Sequence, residues 1–287
     1  MEAPDDDITI ITSFLDIGRG EWNNEWRRQP QYYVDSFLIY LRYPYKMVCY
    51  IDDQFIDQVL NEYEKSEYKN KRFIPINKDW LTENIHAWQN FEKERGILSS
   101  EQFMKIIQQR FHFMDMKNFD RTRNIEGYLF PENVYPEYTT VTHSKIDLMM
   151  HAINNNYVNT PYVSWCDFGI FYSQHKDGKY PNSVLDINKM HREKITMCVS
   201  NNVSPKDSNM FFVLVFAPET FWGGFISGKK DLFSSLQTLY HECLDEMHNN
   251  NITDDEQHVY LRCYLKNPEL FHLVQTRNDP IMNIFSR

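Results

Sequence analysis

Apolar residues fall along this chain in two rhythms. Ile8 to Leu15 is a near-continuous β-rich run, Lys46 to Ile51 is a second, and Phe73 to Ile76 a short third. Short runs rich in β-branched and aromatic residues predict buried strands. Between the first two, Gln31 to Arg42 carries Tyr33, Phe37, Ile39 and Tyr40 at helical spacing until Pro44 stops it, and Gln54 to Tyr63 reads as a helix. This alternation predicts a parallel sheet with crossover helices. Further along, Ser100 to Phe113 predicts a helix with Ser99 or Ser100 as N-cap, and Thr142 to Asn154 another with Ile146, Met149, Met150 and Ile153 inward. Ile195 to Val199 and Met210 to Phe216 predict later strands, Lys230 to His248 a long helix, and Asp255 to Tyr264 a last helix capped by Thr253 or Asp254. Lys176 to Pro181 reads as a polar, mobile loop. With no internal repeat and no linker, the pattern predicts one α/β domain over residues 1–287, residues 1–7 being a flexible tail.

Composition narrows the class of partner. A net charge of −10 over 287 residues argues against a nucleic-acid backbone or an anionic membrane. Five scattered cysteines form no Cys-x-x-Cys pair, which predicts reduced, buried thiols and a cytoplasmic protein. The acidic start Met1 to Asp7 has neither basic nor apolar region, so no signal peptide is predicted, and no stretch approaches the roughly 20 apolar residues of a membrane helix. No Gly-x-Gly-x-x-Gly, Walker loop, Gly-x-Ser-x-Gly or His-Glu-x-x-His occurs, which argues against Rossmann dehydrogenases, P-loop enzymes, serine hydrolases and zincins.

Candidate chemistry gathers at predicted strand ends. Pro161 to Trp165 is an apolar run that stops at Cys166-Asp167-Phe168-Gly169. Such a strand delivers Asp167 to its C-terminal edge, where ligands bind in open α/β sheets and where an acid can hold a divalent cation or simply cap the next turn. Thr12, Asp16 and Arg19 end the first strand, where Arg19 could pair with a phosphate or a carboxylate or stand as an ordinary surface arginine. Asp52 ends the second, a position that commonly meets a ribose or serves only as a turn acid. Lys145 is read as opening the helix before the Asp167 strand, where a lysine opposes the dipole and can reach a phosphate. Phe221 to Gly228 holds three of only nine glycines, and Gly223-Gly224-Phe225 predicts a loop that lets a ligand approach backbone. Asp255 and Glu256 open the last helix, as dipole complements or as a base for a hydroxyl nucleophile. His272 lies in an apolar setting that favours a satisfied core histidine.

The order of Thr12-Ser-Phe-Leu-Asp-Ile-Gly-Arg19, Ser144-Lys145, Tyr162-Val-Ser-Trp-Cys-Asp-Phe-Gly169, Gly223-Gly-Phe-Ile-Ser-Gly228 and Asp255-Glu-Gln257 resembles the HtrL/YibB (WlaTC/HtrL) family, roughly from Ile8 to Leu273. That family is linked to lipopolysaccharide and lipooligosaccharide gene clusters and is similar to GT-A glycosyltransferases. The resemblance implies a GT-A-like α/β fold, a mixed, mostly parallel sheet flanked by helices. It implies a hexosyltransferase-like enzyme that moves sugar from a nucleotide-diphosphate donor, UDP-linked, to a glycan, glycolipid or protein-linked acceptor, with Mn2+ or Mg2+. Asp167 matches the metal-binding last acid of the Asp-x-Asp motif, whereas the first position is Trp165, which leaves the ribose contact to other residues. Thr12, Asp16 and Arg19 match the first nucleotide loop, Asp52 falls near base or ribose, and Lys145 near ribose or diphosphate. Trp165, Gly223, Gly224 and Phe225 join the donor contacts, Asp255 and Glu256 match late catalytic acids, and His272 is the candidate second metal ligand. The alternatives are a different class of nucleotide-sugar enzyme or a catalytically degenerate GT-A fold that binds glycan or nucleotide.

Overall fold

The computed structural model describes residues 8–38, 40–42, 44–113, 129–170, 184–185, 189–218, 220–276 and 285–286. Residues 1–7 and the Lys176 to Pro181 stretch lie outside these. Strand β1 (Ile8–Phe14) leads through α1 (Pro30–Phe37) to β2 (Lys46–Asp52), α2 (Ile56–Glu64) and β3 (Lys71–Ile76). Four helices follow, α3 (Lys78–Asn84), α4 (His86–Gln89), α5 (Phe91–Leu98) and α6 (Glu101–Phe113), and then the long α7 (Pro136–Asn154) and β4 (Tyr162–Cys166). The rest comprises β5 (Val184–Leu185), β6 (Ile195–Val199), α8 (Met210–Phe216), β7 (Phe221–Lys229), α9 (Phe233–Asn249), α10 (Glu256–Lys266), β8 (Phe271–Gln275) and β9 (Phe285–Ser286). As expected, the main sheet is mixed and mostly parallel, with strand order β3-β2-β1-β4-β7-β6-β8. Only β7 runs against its neighbours, pairing antiparallel with β4 and β6.

Alternation along the strands sorts their side chains onto two cores. Ile8, Ile10 and Phe14 of β1 and Met47, Cys49 and Ile51 of β2 pack with Val34, Phe37 and Val59 of α1 and α2. Ile11, Val48, Tyr50, Val163 and Trp165 face the other way, onto α7, α9 and α10. A one-residue slip of register would turn each set into the wrong layer, so pattern and pairing specify each other. All five cysteines are buried and free, as expected from their scatter. No helix among the described residues is long and apolar enough to cross a membrane.

Four sequence expectations are corrected. Met210–Phe216 is helix α8, not a strand. Asn209 caps it, its Oδ1 accepting from the N–H groups of Phe211 and Phe212, and Val213, Leu214 and Val215 turn inward. A short apolar run has no period of its own, and the cap decides. Gly223 to Gly228 is strand β7, not a loop. Lys145 lies in the middle of α7, which Pro136 begins at its first turn, so the helix-start argument for this lysine falls. The N-cap of α10 is Asp255, not Thr253 or Asp254. Helices α3, α4 and α5 carry no sequence expectation and fill the layer beside α7.

Candidate functional site

The strand order reverses between β1 and β4: β2 and β3 extend the sheet to one side, β4 and β7 to the other. Crevices at such switch points, beyond the carboxyl ends of the strands, are where open α/β sheets bind ligands. A cavity of about 350 Å³ opens there, lined by the loop after β1, the residues after β4, the start of β7, one face of α7 and the first turn of α10. Because β7 is antiparallel, Trp222, Gly223 and Gly224 come to the same edge as Trp165 and Asp167.

Lys145 organises its floor. The Nζ group donates to Glu256 Oε1 at 2.6 Å, to Asp167 Oδ1 at 2.8 Å and to the Gly223 carbonyl at 3.0 Å. All three ammonium protons are thereby used. The Lys145 and Glu256 side chains are 7% and 5% exposed, while Asp167 is 41% exposed. An unpaired buried ammonium would shed its proton. Burial pulls Lys145 down, but Asp167 and Glu256 outweigh it and raise its pKa, so it stays charged. Burial also raises the pKa of Glu256, more than Lys145 lowers it. One ammonium thus faces two carboxylates, one of them half in water.

Backbone and packing aim these groups. The Asp167 N–H donates to the Gly224 carbonyl at 3.0 Å, and the Asp167 carbonyl accepts from Ile170 N–H at 2.9 Å, which turns the chain straight after β4. Phe168 stacks between Phe37, centroids 4.1 Å apart, and Phe14 at 5.0 Å. Such pairs contribute about 0.5–1.5 kcal/mol each beyond area burial, enough to fix the turn. Trp165 Nε1 donates to Asp167 Oδ1 at 2.7 Å, so the residue in place of the first acid orients the second. A Cβ on residue 223 would fall 1.9 Å from Glu256 Oε1, which is why glycine stands there.

The loop after β1 forms the opposite wall. Asp52 Oδ2 accepts the Asp16 N–H at 3.0 Å, and Asp16 Oδ1 accepts the Gly18 N–H at 2.9 Å. Gly18 has φ +75°, a left-handed turn that favours glycine. Arg19 follows, donating from Nε to the Trp26 carbonyl and from Nη1 to Tyr33 Oη, both at 2.7 Å. Its guanidinium lies 5.3 Å from the Trp22 ring and 5.5 Å from that of Tyr138. Burial lowers its pKa, but guanidinium stays charged at any physiological pH.

Of the residues singled out by sequence, the structure brings Asp16, Arg19, Lys145, Trp165, Asp167, Gly223, Gly224 and Glu256 around one cavity. Others fall outside its lining. Thr12 and Phe225 are fully buried within the sheet. Asp52 holds the Asp16 backbone rather than facing the cavity. Asp255 spends both carboxylate oxygens on Gln257, its backbone N–H at 3.0 Å and its Nε2 at 2.8 Å. His272 sits on β8, separated from β4 by β7 and β6, with the His191 ring 5.3 Å away. The structure therefore does not join it to Asp167. Sequence reasoning missed Arg28, Tyr33 and Tyr138 as lining residues. Arg28 carried a signal: a cation just ahead of the α1 N-terminus opposes the helix dipole.

A cation at Asp167 meets a defined donor set. Oδ2 takes no hydrogen bond among the described residues, and a Cβ on residue 224 would stand 3.4 Å from it. No described His, Cys or acid completes a three-ligand group with Asp167. One free carboxylate oxygen beside an excess of negative charge fits an ion shared with a ligand's phosphates and water, as Mg2+ is commonly held, and does not fit an all-protein cage.

Comparison with known proteins places the chain in a family. The family described as "Bacterial protein of unknown function (HtrL_YibB)" matches residues 6–286. Protein HtrL of Escherichia coli is 26% identical over 271 residues, covering 92% of this chain and 86% of its own length. Among solved structures, 4-diphosphocytidyl-2C-methyl-D-erythritol synthase of Anaerococcus prevotii aligns over 95% of this chain and 88% of its own, with 10% identity and a TM-score of 0.39. With its motifs in order and the family match running nearly end to end, this chain belongs to the HtrL_YibB family.

Proposed function

We propose that the cavity binds a nucleotide-diphosphate sugar, UDP-linked, and transfers the sugar to a hydroxyl of a glycan or glycoconjugate acceptor. The observation that carries this reading is the Lys145, Asp167 and Glu256 cluster set at the β1/β4 switch point of the cavity. Arg19 and Arg28, on the opposite wall, supply positive charge for a diphosphate. Tyr33, Tyr138 and Trp222 offer ring faces to a base or a sugar. Lys145 fixes both carboxylates in place, so they are positioned before a substrate arrives. Asp167 Oδ2 is the protein oxygen that would hold Mn2+ or Mg2+, which when bound would offset charge building on the departing diphosphate. Glu256, its pKa raised by burial, is the residue suited to take the proton of an acceptor hydroxyl. Asp255 is not, because its oxygens serve the helix cap.

A panel of nucleotide sugars, assayed for hydrolysis with Mn2+ present, tests the reading. UDP-sugars should turn over with the parent and not with Asp167→Asn. Glycan binding with no turnover of any nucleotide sugar would favour the degenerate, glycan-binding alternative.

A further inference from the structure

On the far side of α7 from Lys145, three further side chains converge from three helices. Asp147 of α7 is 5% exposed. Its Oδ1 accepts from His241 Nε2 of α9 at 2.8 Å and from Gln237 Nε2 at 2.7 Å, and its Oδ2 accepts from the Ala87 N–H at the start of α4 at 3.1 Å. His86, the first residue of α4, lays its ring 4.3 Å from that of His241. One nitrogen of each histidine and one oxygen of Asp147 lie within 4.8 Å of one another. A cavity of about 250 Å³, lined by His86, Asp147 and Gln237 among others, adjoins the group and shares no residue with the cavity at Asp167.

We infer that His86, Asp147 and His241 form a binding site for one divalent transition-metal ion of the Zn2+ type, separate from the nucleotide cavity. Two imidazoles and a carboxylate are a donor set that Zn2+ takes with a fourth position left to water or a ligand. Bond lengths of about 2.0–2.2 Å require the three donor atoms to close to about 3.3 Å apart. His241 Nε2 and Asp147 Oδ1, 2.8 Å apart in a hydrogen bond, would open slightly as that nitrogen gives up its proton, and the His86 nitrogen, within 4.8 Å of both, would close in. Gln237 and the Ala87 N–H orient the carboxylate from behind, as partners of metal-bound acids do. The adjoining cavity gives the open coordination position access to water or a small anion. The ion would fasten α4 and α9 to α7, the helix whose opposite face carries Lys145.

The test is calorimetric titration of the chelator-treated full chain with ZnCl2. One equivalent should bind with the parent. His86→Ala and His241→Ala should each abolish that binding while keeping the parent's circular dichroism spectrum. Gln237→Ala, which leaves all three ligands, should weaken it by about 10–100-fold. Asp167→Ala should bind Zn2+ as the parent does, which separates this site from the proposed nucleotide site. No stoichiometric Zn2+ binding by the parent, or parent-like binding by both folded histidine variants, would overturn the assignment and leave the group a hydrogen-bond network around Asp147.

Discussion

Asp255 and Glu256 are neighbours in the chain and belong to opposite kinds of charged cluster. Asp255 turns into a closed one. Asp254 Oδ1 accepts the Asp255 N–H at 3.0 Å, Asp254 Oδ2 accepts from His258 Nδ1 at 2.8 Å, and His258 Nε2 reaches the Pro218 carbonyl at 3.3 Å. With Gln257 on Asp255, both acids and the histidine are buried and satisfied within the fold. Glu256, one residue on, turns to Lys145 and the cavity, where Asp167 Oδ2 takes no hydrogen bond among the described residues. A closed cluster holds a helix end, whereas an open one, left with an excess of negative charge facing a cavity, is available to a ligand. Burial alone does not separate the two, since both acids are nearly fully buried. Where the remaining lone pairs point does.

The largest effect should come from breaking the open cluster. Lys145→Met leaves Glu256 buried without its counter-charge, and loss of one partner of a buried pair costs about 3–5 kcal/mol. Urea denaturation should show that loss, and UDP affinity should fall with it. If Lys145→Met is as stable as the parent, the cluster is not the organiser described above.

Glu256→Gln preserves shape and removes charge. Turnover of the nucleotide sugar should drop by about 10²–10⁴-fold, the range for a general base, and the loss of stability should be smaller than that of Lys145→Met, since Lys145 keeps Asp167 and an amide oxygen still accepts from it. Parent-like turnover would move the base elsewhere.

The closed cluster should answer to pH instead. Burial would lower the His258 pKa, but Asp254 and Asp255 lift it to about 9. A histidine whose folded pKa is raised contributes stability that is complete below its free value of about 6.5 and is lost as pH rises towards the folded value. Unfolding free energy should therefore decline between pH 6.5 and 9, by on the order of 3 kcal/mol, and His258→Asn should flatten that decline. An equal slope in both proteins would contradict a charged His258.

The smallest effect distinguishes the two neighbours most plainly. Asp255→Ala should cost about 0.5–2 kcal/mol, the worth of an N-cap, and leave turnover near that of the parent. A loss of turnover as large as that of Glu256→Gln would return Asp255 to the cavity.

Much of this was legible in the sequence, for physical reasons. β1, β2, β4 and β6 are apolar runs bounded by turn residues, and strands buried on both faces read that way, whereas β3, half exposed at the sheet edge, showed only its short apolar end Phe73 to Ile76. The place of Asp167, at the C-terminal edge of β4, was legible because an acid that ends an apolar run marks where the buried strand stops. The open and closed fates of Glu256 and Asp255 were not, since they depend on Gly223 and Lys145, 33 and 111 residues away in the chain. Lys145 was singled out on a helix-start argument that does not hold: it is buried in mid-helix, and its partners arrive from the end of β4 and from α10. His272 was misplaced because an apolar strand with one histidine says nothing of which sheet edge it occupies. Met210–Phe216 was misread because the Asn209 cap, not the apolar run, decides between helix and strand.

In the proposed function, Asp167 and the groups around it form a nucleotide-diphosphate site. Calorimetric titration of UDP into the parent, with and without Mn2+, and into Asp167→Ala tests it most directly. Mn2+ should strengthen UDP binding in the parent and have no effect in Asp167→Ala, which keeps its fold. UDP binding that is absent, or that is the same in both proteins whether or not Mn2+ is added, would contradict it.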